Sequence, residues 1–177
     1  HVLAGGLLDV LAAAEHRVRG ADVGGGVHRG DVGGHRDEGA RRAGAGARRA
    51  RAFDLVGAQA QAVAFEGRME QARALYRETA EMARRQGFPH VGLGYASQAA
   101  WTDALYGNES LARQQIREIL RGDPTDAVRL RAAAALALAG APEEAERVIA
   151  ASKEAGLLVG RVYRPVAEAA VRLARRQ

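Results

Sequence analysis

A His-Arg-Asp triplet, His35-Arg36-Asp37, is the stretch of the sequence that most suggests catalysis. In kinase-type phosphoryl transfer the Asp of such a triplet accepts the proton of a substrate hydroxyl, and an Asn five residues later helps to hold magnesium. Arg42 occupies that fifth position, and a guanidinium cannot ligate a cation. No DFG sequence follows, and no glycine-rich phosphate loop precedes. We interpret the triplet as a chance occurrence and expect the chain not to be an enzyme.

Two histidines and two aspartates of the same tract have side chains that can ligate metal ions: His28, Asp31, His35 and Asp37. A metal site requires a scaffold that fixes its ligands and a surrounding shell that orients them. A glycine-rich segment without apolar periodicity supplies neither of these. We therefore expect no metal site and no cofactor.

The segment RRAGAGARRARA at 41–52 is basic and could contact phosphates without sequence specificity. It contains no aromatic residue that would stack on a base. Residues 1–53 carry nine basic and six acidic side chains, a net charge of only +3. We interpret the segment as solvated chain and expect no specific nucleic-acid binding.

The composition also limits the class of protein. The chain has no cysteine, which excludes disulfides and thiolate zinc sites. Its apolar runs are far shorter than the roughly 20 residues of a membrane span, and no basic segment precedes the first run, as a signal peptide would require. We expect a cytoplasmic protein without a membrane span. The start at His1 and the helical pattern at the last residues indicate a fragment of a longer protein.

The composition changes near residue 53. Residues 1–52 hold 12 of the 22 glycines and four of the five histidines, and no aromatic residue. Such a Gly/Arg-rich segment cannot bury enough apolar surface to offset its ordering entropy, so we predict disorder except for a short helix near 2–19. A second hypothesis is that this segment is GC-rich DNA translated out of frame.

From residue 53 onward, larger apolar residues recur every three or four positions and charged residues fill the opposite face. This periodicity predicts an all-α fold for residues 53–177. We predict helical hairpins at about 54–87, 90–121 and 126–155, followed by a lone helix at 161–176.

A threefold internal repeat supports this division. Each copy has a glycine, an alanine five residues later and a larger residue four residues after that: Gly67, Ala72 and Tyr76; Gly107, Ala112 and Ile116; Gly140, Ala145 and Ile149. The copies are offset by 40 and then 33 residues. We expect each glycine to end a helix in the left-handed conformation and each alanine to let two helices approach closely.

This repeat resembles the tetratricopeptide (TPR) family, whose pattern places an alanine and a larger residue in the second helix and a proline at the end of the unit. Pro124 closes the second unit in this way. The first helices depart from the family pattern, since Ala99-Ala100 and Ala132-Ala133 stand where Leu-Gly is expected and Trp101 has another register. The resemblance implies a right-handed α-α superhelix.

Residues 53–177, about two thirds of the chain, are also similar to the carboxy-terminal repeat regions of large bacterial signalling proteins. In those proteins a helical-repeat sensor follows a serine/threonine kinase domain or a winged-helix DNA-binding domain. The resemblance implies a protein-interaction module that acts as sensor or scaffold. The alternatives are a fragment of such a kinase or of a TPR-containing transcriptional regulator, with the active or DNA-binding domain outside this chain.

The expected partner is a protein or an extended or helical peptide, because the first helices of such hairpins line a concave binding face. By repeat register, the residues on that face are Gln61, Ser97, Trp101 and Leu130. Trp is favoured in binding hot spots. For Trp101, packing between helices remains the alternative interpretation.

Overall fold

The computed structural model describes residues 52–53, 55–153 and 162–176. These ranges form helices and turns and contain no strand, which confirms the all-α prediction for this part of the chain. The segment 1–51, in which disorder and a helix near 2–19 are predicted, lies outside the described residues.

Seven helices cover most of the described residues. They are α1 (55–65), α2 (Met69–Arg85), α3 (Pro89–Leu105), α4 (Glu109–Arg121), α5 (Asp126–Leu138), α6 (Pro142–Ala151) and α7 (Arg164–Ala174). Turns of three or four residues join α1 to α6 in succession, and such short turns make consecutive helices antiparallel neighbours. The pairs α1–α2, α3–α4 and α5–α6 correspond in order to the three predicted hairpins, and α7 to the predicted lone helix. That these helices make up one repeat domain stays a prediction.

The second helix of each hairpin is amphipathic, and its buried face contains the repeated residues. The buried residues are Ala72, Tyr76, Thr79, Ala80 and Ala83 in α2, Ala112, Ile116 and Ile119 in α4, and Ala145 and Ile149 in α6. The three repeated alanines are each at most 1 % exposed. Since alanine projects only a methyl group, the neighbouring helix can pack close to the backbone at these points.

Four of the turns have a glycine in the left-handed conformation as their second residue. The φ angles are 80°, 82°, 81° and 75° at Gly67, Gly87, Gly107 and Gly140. The turn after α3 shows the bonding: Gly107 N–H donates to Ala104 at 3.2 Å, and Asn108 N–H donates to Asp103 at 2.8 Å. These bonds satisfy carbonyls at the end of the helix. The left-handed conformation predicted for the three repeat glycines is confirmed, and Gly87 adds a fourth.

The first helices of successive hairpins pack against one another as well as against their own partners. Helix α3 contacts α2, α4 and α5, and α5 contacts α3, α4, α6 and α7. Helix α5 is therefore buried on nearly every side, and six consecutive residues, 132–137, are at most 1 % exposed. This accounts for the continuous apolar run in its sequence.

Small residues bring the first two hairpins into close contact. A Cβ atom at Gly57 of α1 would lie 2.4 Å from Cε1 of Tyr95 on α3. A Cβ atom at Gly92 of α3 would lie 2.8 Å from the carbonyl oxygen of Ala80 on α2. Since real Cβ atoms do not approach other atoms so closely, the hairpins can pack in this way only where a side chain is missing.

Candidate interaction surface

Three of the four predicted contact residues lie in the interior. Ser97, Trp101 and Leu130 are 0 %, 1 % and 1 % exposed, whereas Gln61 on α1 is half-buried. The expectation that these three face a partner is corrected, because α3 and α5 pack directly against each other and cover them. The alternative interpretation of Trp101, packing between helices, agrees with its burial.

Trp101 is one of the largest fully buried side chains in the described part of the chain. It belongs to the same apolar cluster as Ile116 of α4 and Leu130 of α5. Its indole N–H is buried and has no hydrogen-bond acceptor among the described residues. Trp101 therefore contributes to the structure by filling volume and not by a polar contact.

Asp103 of α3 is the centre of a polar cluster. Although its side chain is a carboxylate, it is completely buried. Arg73 of α2 donates to Oδ1 of Asp103 from Nε at 2.9 Å and from Nη2 at 2.6 Å. Asn108 donates to the same oxygen at 3.2 Å, and Gln115 of α4 donates to Oδ2 at 3.1 Å. The carboxylate is thereby bonded to three residues, which offsets the cost of removing it from water.

The hydrogen bond to Asp103 raises the pKa of Arg73 above its ordinary value, although partial burial acts in the opposite direction. Glu70 also accepts a bond from Nη1 of Arg73, at 2.6 Å. Arg73 is therefore held as a cation between one buried and one exposed carboxylate. Its function in the fold is to join α2 to α3.

Comparing the repeats with one another would have revealed Asp103. At the offsets of 40 and 33 residues, the equivalent positions are Val63 in the first hairpin and Leu136 in the third. Val63 and Leu136 are both buried apolar side chains, 5 % and 0 % exposed. A carboxylate at a position that is otherwise part of the core indicates a buried polar cluster.

A second recurrent position connects successive hairpins. The residue after each repeated alanine is Arg73, Arg113 or Glu146. Arg73 bonds Asp103, Arg113 donates to the carbonyl of Ala139, and Glu146 accepts from Arg175 at 2.6 Å. Each bond therefore links a second helix to the following first helix or to the residues just after it, and in the third hairpin the charge of the residue is reversed.

Arg131 of α5 makes a further set of contacts between first helices. Its Nη1 donates to the Gly94 carbonyl and to the Ser97 hydroxyl, both at 3.3 Å. Its Nη2 donates to the Tyr163 hydroxyl at 3.1 Å, just before α7. One half-buried cation thus ties α3, α5 and the start of α7 together.

Known proteins give no further guide to this arrangement of helices. Comparison of the chain with protein-family models, with curated proteins and with solved structures finds no match. The chain's own repeats, contacts and exposed surface are therefore what indicate its function.

The described residues do not bring possible metal ligands together. Within the described ranges, no three His, Asp or Glu side chains lie where they could hold a metal ion. The His35-Arg36-Asp37 triplet, the possible ligands His28 and Asp31, and the basic segment 41–51 lie outside these ranges. None of the helices in these ranges is both long enough and apolar enough to cross a membrane.

The most exposed large apolar side chains of the described residues lie on α1. Leu55 is 72 % and Phe65 is 57 % exposed, whereas Phe88, Val91 and Tyr106 are 37 %, 38 % and 40 % exposed. Ala58 and Ala62, between Leu55 and Phe65, are exposed as well. We call these four residues of α1, Leu55, Ala58, Ala62 and Phe65, the α1 face. No signal in the repeat pattern had identified it.

Proposed function

We propose that residues 53–177 form a TPR-like right-handed superhelix whose function is to bind another protein. The observation that carries the proposal is that first helices pack successively, α3 on α5 and α5 on α7, while second helices flank them. Arrays of this kind present extended surfaces made from several repeats. The proposal includes no catalytic step for these residues and no specific nucleic-acid partner.

Within a cell, we propose that the array serves as the sensor or scaffold part of a cytoplasmic bacterial signalling protein. This role is supported by the resemblance of the repeat sequence to such regions. The alternative, a piece of a serine/threonine kinase or of a TPR-containing regulator, differs only in the domain that the longer protein would carry. Translating the adjoining DNA in every frame separates the two.

The contact surface is expected on exposed side chains, because Ser97, Trp101 and Leu130 are in the core. Of the residues chosen by repeat register, Gln61 keeps a partly accessible side chain. A peptide bound along the array would therefore contact the edges of the hairpins and not the packed interior.

Peptide selection tests the proposal directly. The full chain is presented to a random 12-residue peptide library displayed on phage, and the recovered peptides are measured by fluorescence anisotropy. The control is Ala135→Arg, which places a cation at a position of α5 that is 0 % exposed and so disrupts the array. We expect peptides that bind the natural chain and not this variant. Recovery of no peptide, or equal binding to both chains, would remove the proposal.

A further inference from the structure

One end of the helical array carries a row of exposed cations. Consecutive helices are antiparallel, so the second helices α2, α4 and α6 all end at the same end of the array. Arg84 lies in the last turn of α2, Arg121 is the last residue of α4, and Lys153 comes two residues after α6. We call these three exposed residues, Arg84, Arg121 and Lys153, the basic edge.

The cations of the basic edge have no partner within the described part of the chain. None of them forms a salt bridge or donates a side-chain hydrogen bond there. The opposite ends of the same helices differ, because a carboxylate in each first turn is paired with an arginine: Glu70 with Arg73, Glu109 with Arg113, and Glu144 with Arg117. The charge at one end of the second helices is therefore neutralised within the fold, whereas the charge of the basic edge is free to meet an anion.

The first helices strengthen the positive character of this end, because they begin there. The N–H groups at the start of a helix carry partial positive charge, which an acidic side chain in the first turn would offset. Helices α3 and α7 have no acidic residue in the first turn. The described turns at this end, at 84–91, 121–129, 152–153 and 162–165, contain six Arg or Lys and two Asp residues. Those at the opposite end, at 65–70, 104–110, 138–144 and 172–176, contain four Arg and five Glu residues.

Two exposed apolar side chains accompany the basic edge at the start of α3. Phe88 and Val91 are 37 % and 38 % exposed. Arg84 lies against the same turn, because a Cβ atom at Gly92 would be 3.0 Å from Cγ and 3.5 Å from Nε of Arg84. The ring of Phe88 is held edge-on to Phe53, with 6.1 Å between the centroids. A cation and an apolar surface therefore lie side by side.

We propose that the basic edge binds an acidic peptide segment of a partner protein, with one apolar side chain of that segment on Phe88 and Val91. The inference rests on the proposed function and names the chemistry of the partner. The chain's own residues 1–53 do not suit the site, since they carry nine basic and six acidic side chains. An acidic segment of another protein has the complementary charge.

The spacing of the basic edge favours a peptide over a nucleic acid. A first helix separates successive second helices, so the three cations are roughly 15 Å apart. An extended peptide of about ten residues would reach all three, with a carboxylate at every fourth or fifth residue. A nucleic-acid strand carries a phosphate about every 3.4 Å along a duplex, so these cations would neutralise few of its charges.

Fluorescence anisotropy on the full chain measures the binding. The probe is a fluorescein-labelled 12-residue peptide of glutamate and serine with one leucine, and its control has glutamine in place of glutamate. We expect a Kd on the order of 100 μM or tighter for the acidic peptide at about 50 mM salt, and binding at least about tenfold weaker for the control. Equal affinities for the two peptides would overturn the proposal.

A charge-reversed variant of the basic edge tests the site itself. Arg84→Glu combined with Arg121→Glu and Lys153→Glu should weaken binding of the acidic peptide at least about tenfold. Glutamine at the same three positions should weaken it by a smaller factor, since it removes the attraction without adding repulsion. Circular dichroism verifies that both variants keep the helix content of the natural chain, and the neutral variant decides the outcome if the charge-reversed one unfolds.

Arg77, Arg172 and Arg176 provide the matched control. They are exposed and likewise form no salt bridge among the described residues, but Arg77 lies in the middle of α2 and the other two lie at the opposite end of the array. Replacing these three by glutamate changes the net charge by the same amount and should leave the Kd within about twofold. Equal weakening by the two charge-reversed variants would mean that the peptide responds only to net charge, and the proposal would be wrong.

The apolar contact has its own test. Phe88→Ser should weaken binding of the leucine-containing peptide about threefold and leave binding of a leucine-free acidic peptide unchanged. The control is Tyr106→Ser, at a side chain 40 % exposed at the opposite end of α3, and it should affect neither peptide. An equal loss for the two peptides in Phe88→Ser contradicts a contact between the leucine and Phe88.

Two further outcomes separate this inference from its competitors. If a 12-base uridine oligonucleotide binds more tightly than the acidic peptide, and the charge-reversed basic edge loses that binding, the edge recognises phosphates and the proposal is wrong. If the natural chain binds library peptides that are not acidic, and the charge-reversed variant binds them equally well, the proposed function stands and this inference fails. Recovery of acidic peptides that the variant no longer binds supports both.

Discussion

Arg73 donates two hydrogen bonds to a single carboxylate oxygen of Asp103, at 2.9 and 2.6 Å, and Asp103 is completely buried. The two residues lie on consecutive helices of different hairpins, so the bond fixes the first hairpin against the second. In the third hairpin the position of Asp103 is occupied by the apolar Leu136. A buried ion pair therefore occupies a position that an apolar side chain fills in the third hairpin.

The first prediction follows from this asymmetry. Arg73→Met leaves a buried carboxylate without its cation, and we expect a loss of about 3 kcal/mol in the free energy of unfolding. Asp103→Leu should cost less, about 1 to 2 kcal/mol, because Arg73 is partly exposed and keeps its bond to Glu70. The double variant should lose less than the sum of the two single variants because it leaves no unpaired charge, although the amides of Asn108 and Gln115 still lose their acceptor. Urea unfolding followed by circular dichroism measures all three.

An exposed ion pair provides the control for this cycle. Arg117 and Glu144 lie 2.9 Å apart across α4 and α6, and their side chains are 54 % and 24 % exposed. Removing Arg117 should therefore change stability far less than removing Arg73, because solvent screens the pair. If the double variant at Arg73 and Asp103 loses as much as the sum of its single variants, the two residues do not act as a pair.

The second prediction concerns the pKa of Glu144 and its contribution to stability at low pH. The hydrogen bond from Arg117 lowers the pKa of Glu144 below its ordinary value, although partial burial acts in the opposite direction. A lowered folded-state pKa stabilises the fold above the unfolded value near 4.5, and this contribution is lost as the pH falls through the folded pKa. In Arg117→Met the pKa of Glu144 should rise toward its ordinary value, as measured by carbon-13 NMR titration of the carboxyl group.

A variant at Arg113 tests whether the hydrogen bond from Arg117 or the surrounding positive charge lowers the pKa of Glu144. Arg113 lowers the pKa of Glu144 only through its charge, so Arg113→Met should produce a smaller rise than Arg117→Met. Equal rises in the two variants would assign the effect to long-range charge.

The helices could be predicted from the sequence because their signals are local. Gly107, Ala112 and Ile116 show these signals in one repeat. The glycine forms the turn, the alanine five residues later allows a close helix contact, and the larger residue four positions further on fills the space beside it. Each of these signals depends on neighbours along the chain. Expectation and structure therefore agree best in the second helices, where the repeat is clearest.

Local sequence signals could not show whether the predicted contact residues face a partner or lie in the core. Repeat register identifies which stripe of a first helix Trp101 or Leu130 occupies, but not how closely the next first helix approaches. That distance depends on small residues elsewhere, such as Gly57 opposite Tyr95. The α1 face is exposed for the opposite reason, because no described helix packs against it.

The third prediction compares two glycines that both have open space where a Cβ would lie. Gly107 has a φ of 81° in the turn after α3, whereas Gly94 lies inside α3, outside the left-handed region. Gly107→Ala should lower the free energy of unfolding by about 1 to 2 kcal/mol because alanine is strained in the left-handed region. Gly94→Ala should raise it by about 0.5 to 1 kcal/mol, through better helix propensity. Thermal unfolding of both variants should give Tm shifts of opposite sign, and shifts of the same sign would contradict the assignment of the turn.

The fourth prediction separates packing from binding at Trp101. Because its indole N–H has no acceptor among the described residues, Trp101→Phe loses volume but no hydrogen bond. It should cost about 1 to 2 kcal/mol, against about 3 to 5 kcal/mol for Trp101→Ala. Tyr106→Ala, at a side chain 40 % exposed, should change stability by less than about 0.5 kcal/mol. If Trp101→Ala unfolds at the same urea concentration as the natural chain but binds selected peptides more weakly, Trp101 contacts the partner directly and its assignment to the core is wrong.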